Sequence, residues 1–392
     1  MPGLRFRPPS LAIPAEVRWM LLRAFGPAGA PFPEPVDPFD PEAALAMARR
    51  FELSARIAAR QGRERLAAEL GAGAAAGFWR DRTAAAAAGL RLEAAARRVA
   101  EMAAALDVPL AFLKFVALEM AGVLAAGSRD ACDVDVLVPR ERAEDLWRAL
   151  LGAGWRGSGL PEAEHQLPAL QGPEGAVVEI HRLLPGVRLT GASSATFGEL
   201  ERLGFLEILP AWPGRSSAPA PEVQAAHVLV HGLGQHGYWP ASYSLLKMVA
   251  DLIDLGALTE RAAQWVAKDV PAAEAEAVRR LGVCLEAGQE PDGSAGTLLH
   301  HILAGRLDPD YEQSLRLGLF RSQPSDRSRP AQLGRAVLGA VFLTDAQIDA
   351  LYGRPRTRLG YLGRRIARPF DLLLRLGRYV FHWGLQWVKV RG

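Results

Sequence analysis

The sequence predicts an α+β protein: a small mixed β-sheet core flanked by α-helical N-terminal and C-terminal regions. Three observations carry that prediction. Residues 41–106 are rich in Ala and Arg and patterned as helices. Between 107 and about 190, short bulky apolar runs alternate with Pro/Gly turns. From 223 to about 350, amphipathic helical stretches return. The expected divisions are a helical N-terminal region over 1–106, an α/β core over 107–209, an α-helical C-terminal domain over 223–350 and a basic aromatic tail over 351–392. The stretch PAWPGRSSAPAPE (210–222) reads as a linker by composition.

Taken in chain order, Val17 to Phe25 is a short apolar helix candidate in a Pro- and Gly-rich start. Asp40 reads as an N-cap and Pro41 as the first residue of the next helix. The Ala-rich run 75–106 favours helix and implies scaffold rather than chemistry. VPLAFLKF (108–115) has the bulk of a buried strand, and VALEMAGVLAAG (116–127) reads as a helix ending near Gly127. DVDVLVP (133–139) alternates acid and apolar residues with period two, which makes a strand with one polar face. RERAEDLWRALLGAG (140–154) is an amphipathic helix with a glycine stop. HQLPALQ and AVVEIHRLL flank the turn GPEG and make a hairpin over 165–184, with Pro168 placing its first strand near an edge. Everything beyond about 190 reads as helix and linker.

Composition narrows the function classes. Of 392 residues, 49% are hydrophobic and 23% charged, the balance of a soluble globular chain with a sizeable core. A formal net charge of +3 gives no strong nucleic-acid signal. The 2 cysteines, Cys132 and Cys284, exclude a disulfide framework and a Cys-based zinc cluster. There is no charge-free apolar run of about 18 residues and no apolar start of signal-peptide length, so a cytoplasmic setting is expected.

The chemistry concentrates on three acids. Asp133 and Asp135 stand two apart on one strand and project from one face, where their charges repel. A divalent cation relieves that repulsion, and an oxygen-rich site suits Mg²⁺ or Mn²⁺. Glu179 lies between apolar Val178 and Ile180 on a neighbouring strand, so it points away from the core and toward the Asp pair. Three acids on adjacent strands are what two-metal phosphoryl or nucleotidyl transfer requires.

The text around these acids carries more. Lys114, Ala117 and Leu118 follow a Leu-Lys-Gly-x-Ala-Leu strand-to-helix pattern. Arg129 stands four before Asp133, and Glu179 with His181 makes a carboxylate-apolar-His element. His231, His236, Lys247 and Asp251 follow in the helical part. Over about 75–260 this order resembles a family of bacterial nucleotidyltransferases in the polymerase-beta-like superfamily. The resemblance implies transfer of a nucleoside monophosphate from a nucleoside triphosphate to an acceptor hydroxyl. Asp133, Asp135 and Glu179 would be catalytic and metal-binding; Lys114, Arg129 and His181 would contact the nucleotide. The acceptor stays open among small molecule, sugar, peptide and protein. Phe115 departs from the pattern, standing where the family has glycine, and a bulky residue crowds the approach of backbone to triphosphate. That departure feeds the competing expectation of a catalytically silent nucleotide-binding or scaffold protein.

The supporting residues have plainer readings beside these. Lys114 can neutralise phosphate or snorkel, and Arg129 can grip phosphate bidentately. His181 can orient Glu179 or touch substrate. His227 and His231, spaced i, i+4, read as core or active-site lining rather than zinc ligands, because no acid completes the site nearby. Lys247 and Asp251, also i, i+4, read as a helix-surface ion pair. From Arg354 onward, ten Lys and Arg face one acid, Asp371, among several aromatics. That tail suits an anionic membrane interface, nucleic-acid phosphate or a partner protein, so the cytoplasmic expectation includes peripheral contact with the inner membrane face. A terminal helix packed on the body is its structural alternative.

Overall fold

The computed structural model describes residues 13–32, 39–120, 122–157, 164–191, 193–236 and 244–307, with a few positions between 357 and 367. The side chain of Phe115 and nearly all of the tail, 351–392, lie outside the described residues. Met1–Arg306 makes one compact unit and Leu307–Gly392 a second.

Four helices open the chain: α1 (Ala15–Phe25), α2 (Pro41–Arg50), α3 (Ser54–Gln61) and α4 (Arg63–Ala105). Helix α2 starts as its sequence predicts, with the Asp40 carboxylate accepting the Glu42 amide at 2.9 Å and Pro41 in the first turn, where no N–H is needed. Helix α4 bends at Gly71, whose φ of +79° costs little without a Cβ.

The sheet follows. Its elements are β1 (Leu110–Phe112), α5 (Lys114–Met120), β2 (Asp133–Leu137), a 3₁₀ turn (Arg140–Arg142), α6 (Ala143–Gly152), β3 (Arg156–Gly157), β4 (Leu170–Gln171), β5 (Val177–His181), α7 (Phe197–Arg202), β6 (Leu206–Ile208) and β7 (Ser216–Pro219). Seven strands lie in the order β3-β4-β5-β2-β1-β7-β6. The sheet is mixed: β2 with β5 and β1 with β7 are parallel, and the other neighbours are antiparallel. The predicted hairpin is present, with Leu170 opposite Val178.

The linker reading of 210–222 is overturned, as is the expectation that only helix and linker follow residue 190. Ser216–Pro219 is a buried strand beside β1, with Leu110 opposite Ser216, and β6 pairs with its other edge. The Ser217 hydroxyl donates to the Leu110 carbonyl at 2.9 Å. Small residues and a proline give no alternation to read, so the pairing partner alone makes this segment a strand.

The remaining helices are α8 (Pro221–Leu229), a π turn (Val230–His236), α9 (Leu245–Leu255), α10 (Glu260–Val266), α11 (Ala272–Glu286) and α12 (Gly293–Leu307). Among the described residues no helix is long and apolar enough to cross a membrane. One face of the sheet, with Val134, Val136, Val178 and Ile180, packs on Leu92 and Val99 of α4 and on Leu146 and Leu150 of α6. Helix α9 is tied to the N-terminal helices: Ser244 donates to the Phe51 carbonyl at 2.7 Å, Lys247 meets Glu52 at 3.1 Å, and Arg56 bonds the Asp254 carboxylate. The opposite face of the sheet carries the acids.

Candidate active site

The two-residue period of β2 sends Val134 and Val136 into the core and leaves Asp133 and Asp135 on the other face. Strand β5 runs parallel in register, with Glu179 opposite Asp135 and His181 opposite Leu137. Ligand-type atoms of Asp135, Glu179 and His181 therefore lie within 4.8 Å of one another. Asp133 shares the face but is not in that group. Asp135 Oδ1 accepts from Lys114 Nζ at 2.9 Å and meets His181 Nε2 at the same 2.9 Å. A carboxylate only accepts, so His181 carries its proton on Nε2. Its Nε2 is 3.7 Å from Glu179. Lys114 starts α5 with φ of +49°, an uncommon backbone for a residue with a Cβ and one that recurs at functional sites.

The charges are unevenly compensated. Burial opposes ionisation of Asp135, but Lys114 and His181 outweigh it and hold this carboxyl well below its ordinary range. Burial also works against the Lys114 charge, and the carboxylates of Asp135 and Asp133 overcome it, so the ammonium is retained. Asp133 and Glu179 are both raised, by burial first and then by the negative charge of Asp135. Three carboxylates around one buried lysine leave negative charge that a divalent cation would offset, and their oxygen donors fit such an ion.

Arg129 enters from the loop before β2. Its Nε and Nη2 donate to the two oxygens of Asp251 at 2.7 and 2.8 Å, a bidentate fork to α9. The surface-pair reading of Lys247 and Asp251 is thereby corrected. Asp251 is 1% exposed and faces inward to Arg129. A helix-surface pairing reads only the i, i+4 spacing, whereas the side of α9 that carries Asp251 is covered by tertiary packing.

A row of imidazoles leads away from the acids. His165 stacks on His181 at 5.9 Å between centroids, His227 meets the edge of His181 at 6.5 Å, His231 lies 6.1 Å from His227, and His236 lies 4.5 Å from His231. His227 and His231, read as core or site lining, stand in this row. His165 was not singled out from the sequence. The hairpin register would have found it, because the Arg182 amide donates to the His165 carbonyl and so aligns His165 beside His181.

His227 is 3% exposed and, among the described residues, has no hydrogen-bond partner on either ring nitrogen. Burial, then the charges of Lys114 and His181, push its pKa down to about 3. His227→Leu is expected to raise stability by about 1 kcal/mol, because it removes a desolvated polar ring with nothing to satisfy it. A urea titration checks this. A loss of stability would show that the ring has a structural partner.

The sequence pattern of a family described as uncharacterised nucleotidyltransferase matches residues 37–285, from the chain just before α2 to the end of α11. That span contains Lys114, Arg129, the three acids and the whole histidine row. No curated protein matches the chain.

Proposed function

Since the chain belongs to this family of nucleotidyltransferases, we propose that it moves a nucleoside monophosphate from a nucleoside triphosphate to an acceptor hydroxyl by a two-metal displacement. The observation that carries the proposal is the side-by-side register of Asp135 and Glu179, with Lys114 and His181 converging on Asp135. Asp133, Asp135 and Glu179 would hold Mg²⁺ or Mn²⁺, whose chemistry here is to offset charge on the triphosphate oxygens. The acceptor oxygen bonds the α-phosphorus, the bond to the bridging oxygen of the β-phosphate breaks, and pyrophosphate leaves. Glu179, raised by its burial, takes the hydroxyl proton. His181 fixes the orientation of Asp135. Lys114 supplies positive charge at the start of α5, and Arg129, oriented by Asp251, adds more at the loop before β2.

The test is to incubate the protein with each α-labelled nucleoside triphosphate, Mg²⁺ and cell extract, and to identify what becomes labelled. Label is expected on a hydroxyl-bearing component. Glu179→Gln is expected to lower transfer on the order of 10²-fold or more while nucleotide binding and melting temperature stay near wild type. Nucleotide binding without labelling in any extract would favour the catalytically silent reading. Unchanged specific activity in a destabilised Glu179→Gln protein would make this acid structural.

A further inference from the structure

The π turn Val230–His236 joins the end of α8 to the segment before α9. Such turns are rare and recur at functional sites. An α-helix advances about 100° per residue, so His231 and His236 on a continued α8 would point about 140° apart. The wider turn brings them together instead, with Nε2 of His236 3.2 Å from Nε2 of His231. Gly232 lets this turn lie on α9, since a Cβ there would fall 2.3 Å from the Met248 sulfur.

The rings are also oriented. His231 Nδ1 lies 2.9 Å from the Gln235 side-chain oxygen, which only accepts, so the proton sits on Nδ1 and Nε2 presents a lone pair toward His236. An outer hydrogen bond that fixes the tautomer is the usual support of a metal-binding histidine. Two adjacent imidazole ligands at about 2.0–2.1 Å from a metal, with angles of about 90–110° between them, span roughly 2.8–3.4 Å, which includes the observed separation. Burial, then the charges of Lys114 and His236, lowers the pKa of His231 well below the imidazole range, and burial with Lys114 lowers His236. Both rings are therefore neutral at pH 7, the form that coordinates.

We propose that His231 and His236 form a transition-metal site on the π turn, with the two Nε2 atoms as adjacent ligands. The cation would be an imidazole-seeking divalent ion such as Ni²⁺, Zn²⁺ or Cu²⁺, not the oxygen-seeking ion suited to the acids. On metal binding the His236 proton moves from Nε2 to Nδ1, so that both Nε2 lone pairs face the ion and both rings stay neutral. The site is separate from Asp135 and Glu179, and its existence does not depend on nucleotidyl transfer.

The test uses the full chain without a histidine tag. Ni²⁺ is titrated calorimetrically in millimolar Mg²⁺, and Co²⁺ binding is followed by its visible absorption. The expected result is one Ni²⁺ per chain and a Co²⁺ spectrum with nitrogen ligands. His236→Gln and His231→Gln should each weaken Ni²⁺ at least ~10-fold, with melting temperature used to verify folding. Glu179→Gln, which keeps its melting temperature near wild type, should leave Ni²⁺ affinity within about twofold, as expected for a separate site. Equal Ni²⁺ binding by wild type and both histidine variants overturns the proposal, and so does binding lost only in Glu179→Gln. If either glutamine variant unfolds, the other decides; if both do, Co²⁺ absorption by the folded wild type, present or absent, decides.

Discussion

Asp135→Asn is expected to abolish nucleotidyl transfer, with a loss on the order of 10²–10³-fold or more, and to weaken Mg²⁺-dependent nucleotide binding. The residue receives Lys114 and His181 on one oxygen and faces Glu179 across the parallel pair, so in the proposed reaction its charge serves the fold and the chemistry at once. Loss of that charge leaves the Lys114 ammonium buried without its nearest partner, which costs roughly 3–5 kcal/mol. The two effects can be separated. Lys114→Met added to Asp135→Asn should restore much of the stability, because neither charge then remains buried, while nucleotide binding should stay weak. Calorimetry with and without EDTA, beside urea titrations of each variant, reads both quantities. Nucleotide binding equal to wild type in Asp133→Asn plus Asp135→Asn would remove these acids from the site.

Asp251→Ala should destabilise the protein by about 3–5 kcal/mol, because it removes the bidentate carboxylate from a largely buried Arg129 guanidinium. The side chains of the pair are 11% and 2% exposed and separated by 122 residues in sequence, so the fork clamps the loop before β2 onto α9. Arg129→Met with Asp251→Leu should recover most of that loss, since an apolar pair needs no compensation. A urea titration checks both. A loss below about 1 kcal/mol for Asp251→Ala would place the pair among weak surface bridges. Activity separates position from charge: Arg129→Lys keeps the charge but not the fork, so a larger change in KM than in kcat would mark Arg129 as a nucleotide contact.

Much of this molecule is determined by sequence alone. The period-two run DVDVLV specifies a strand with acids on one face, and Asp40-Pro41 specifies a helix start, because both depend on local stereochemistry. The hairpin and the presence of Glu179 on one of its strands follow from patterning and turn chemistry in the same way. Tertiary structure decided the rest. Ser216–Pro219 is a strand only because β1 offers it an edge, and no local pattern marks it. Parallel pairing of β2 with β5 set Glu179 opposite Asp135, making Asp135, Glu179 and His181 the tight group while Asp133 stands outside it. Spacing suggested Lys247 for Asp251, but packing put α9 against the loop before β2 and brought Arg129 to it from 122 residues away. The π turn, and the meeting of His231 with His236, likewise exceed local reading, since helical spacing would have separated them. The physical reason is common to all four. Periodicity fixes the face on which a side chain lies, whereas its partner is fixed by long-range pairing and packing.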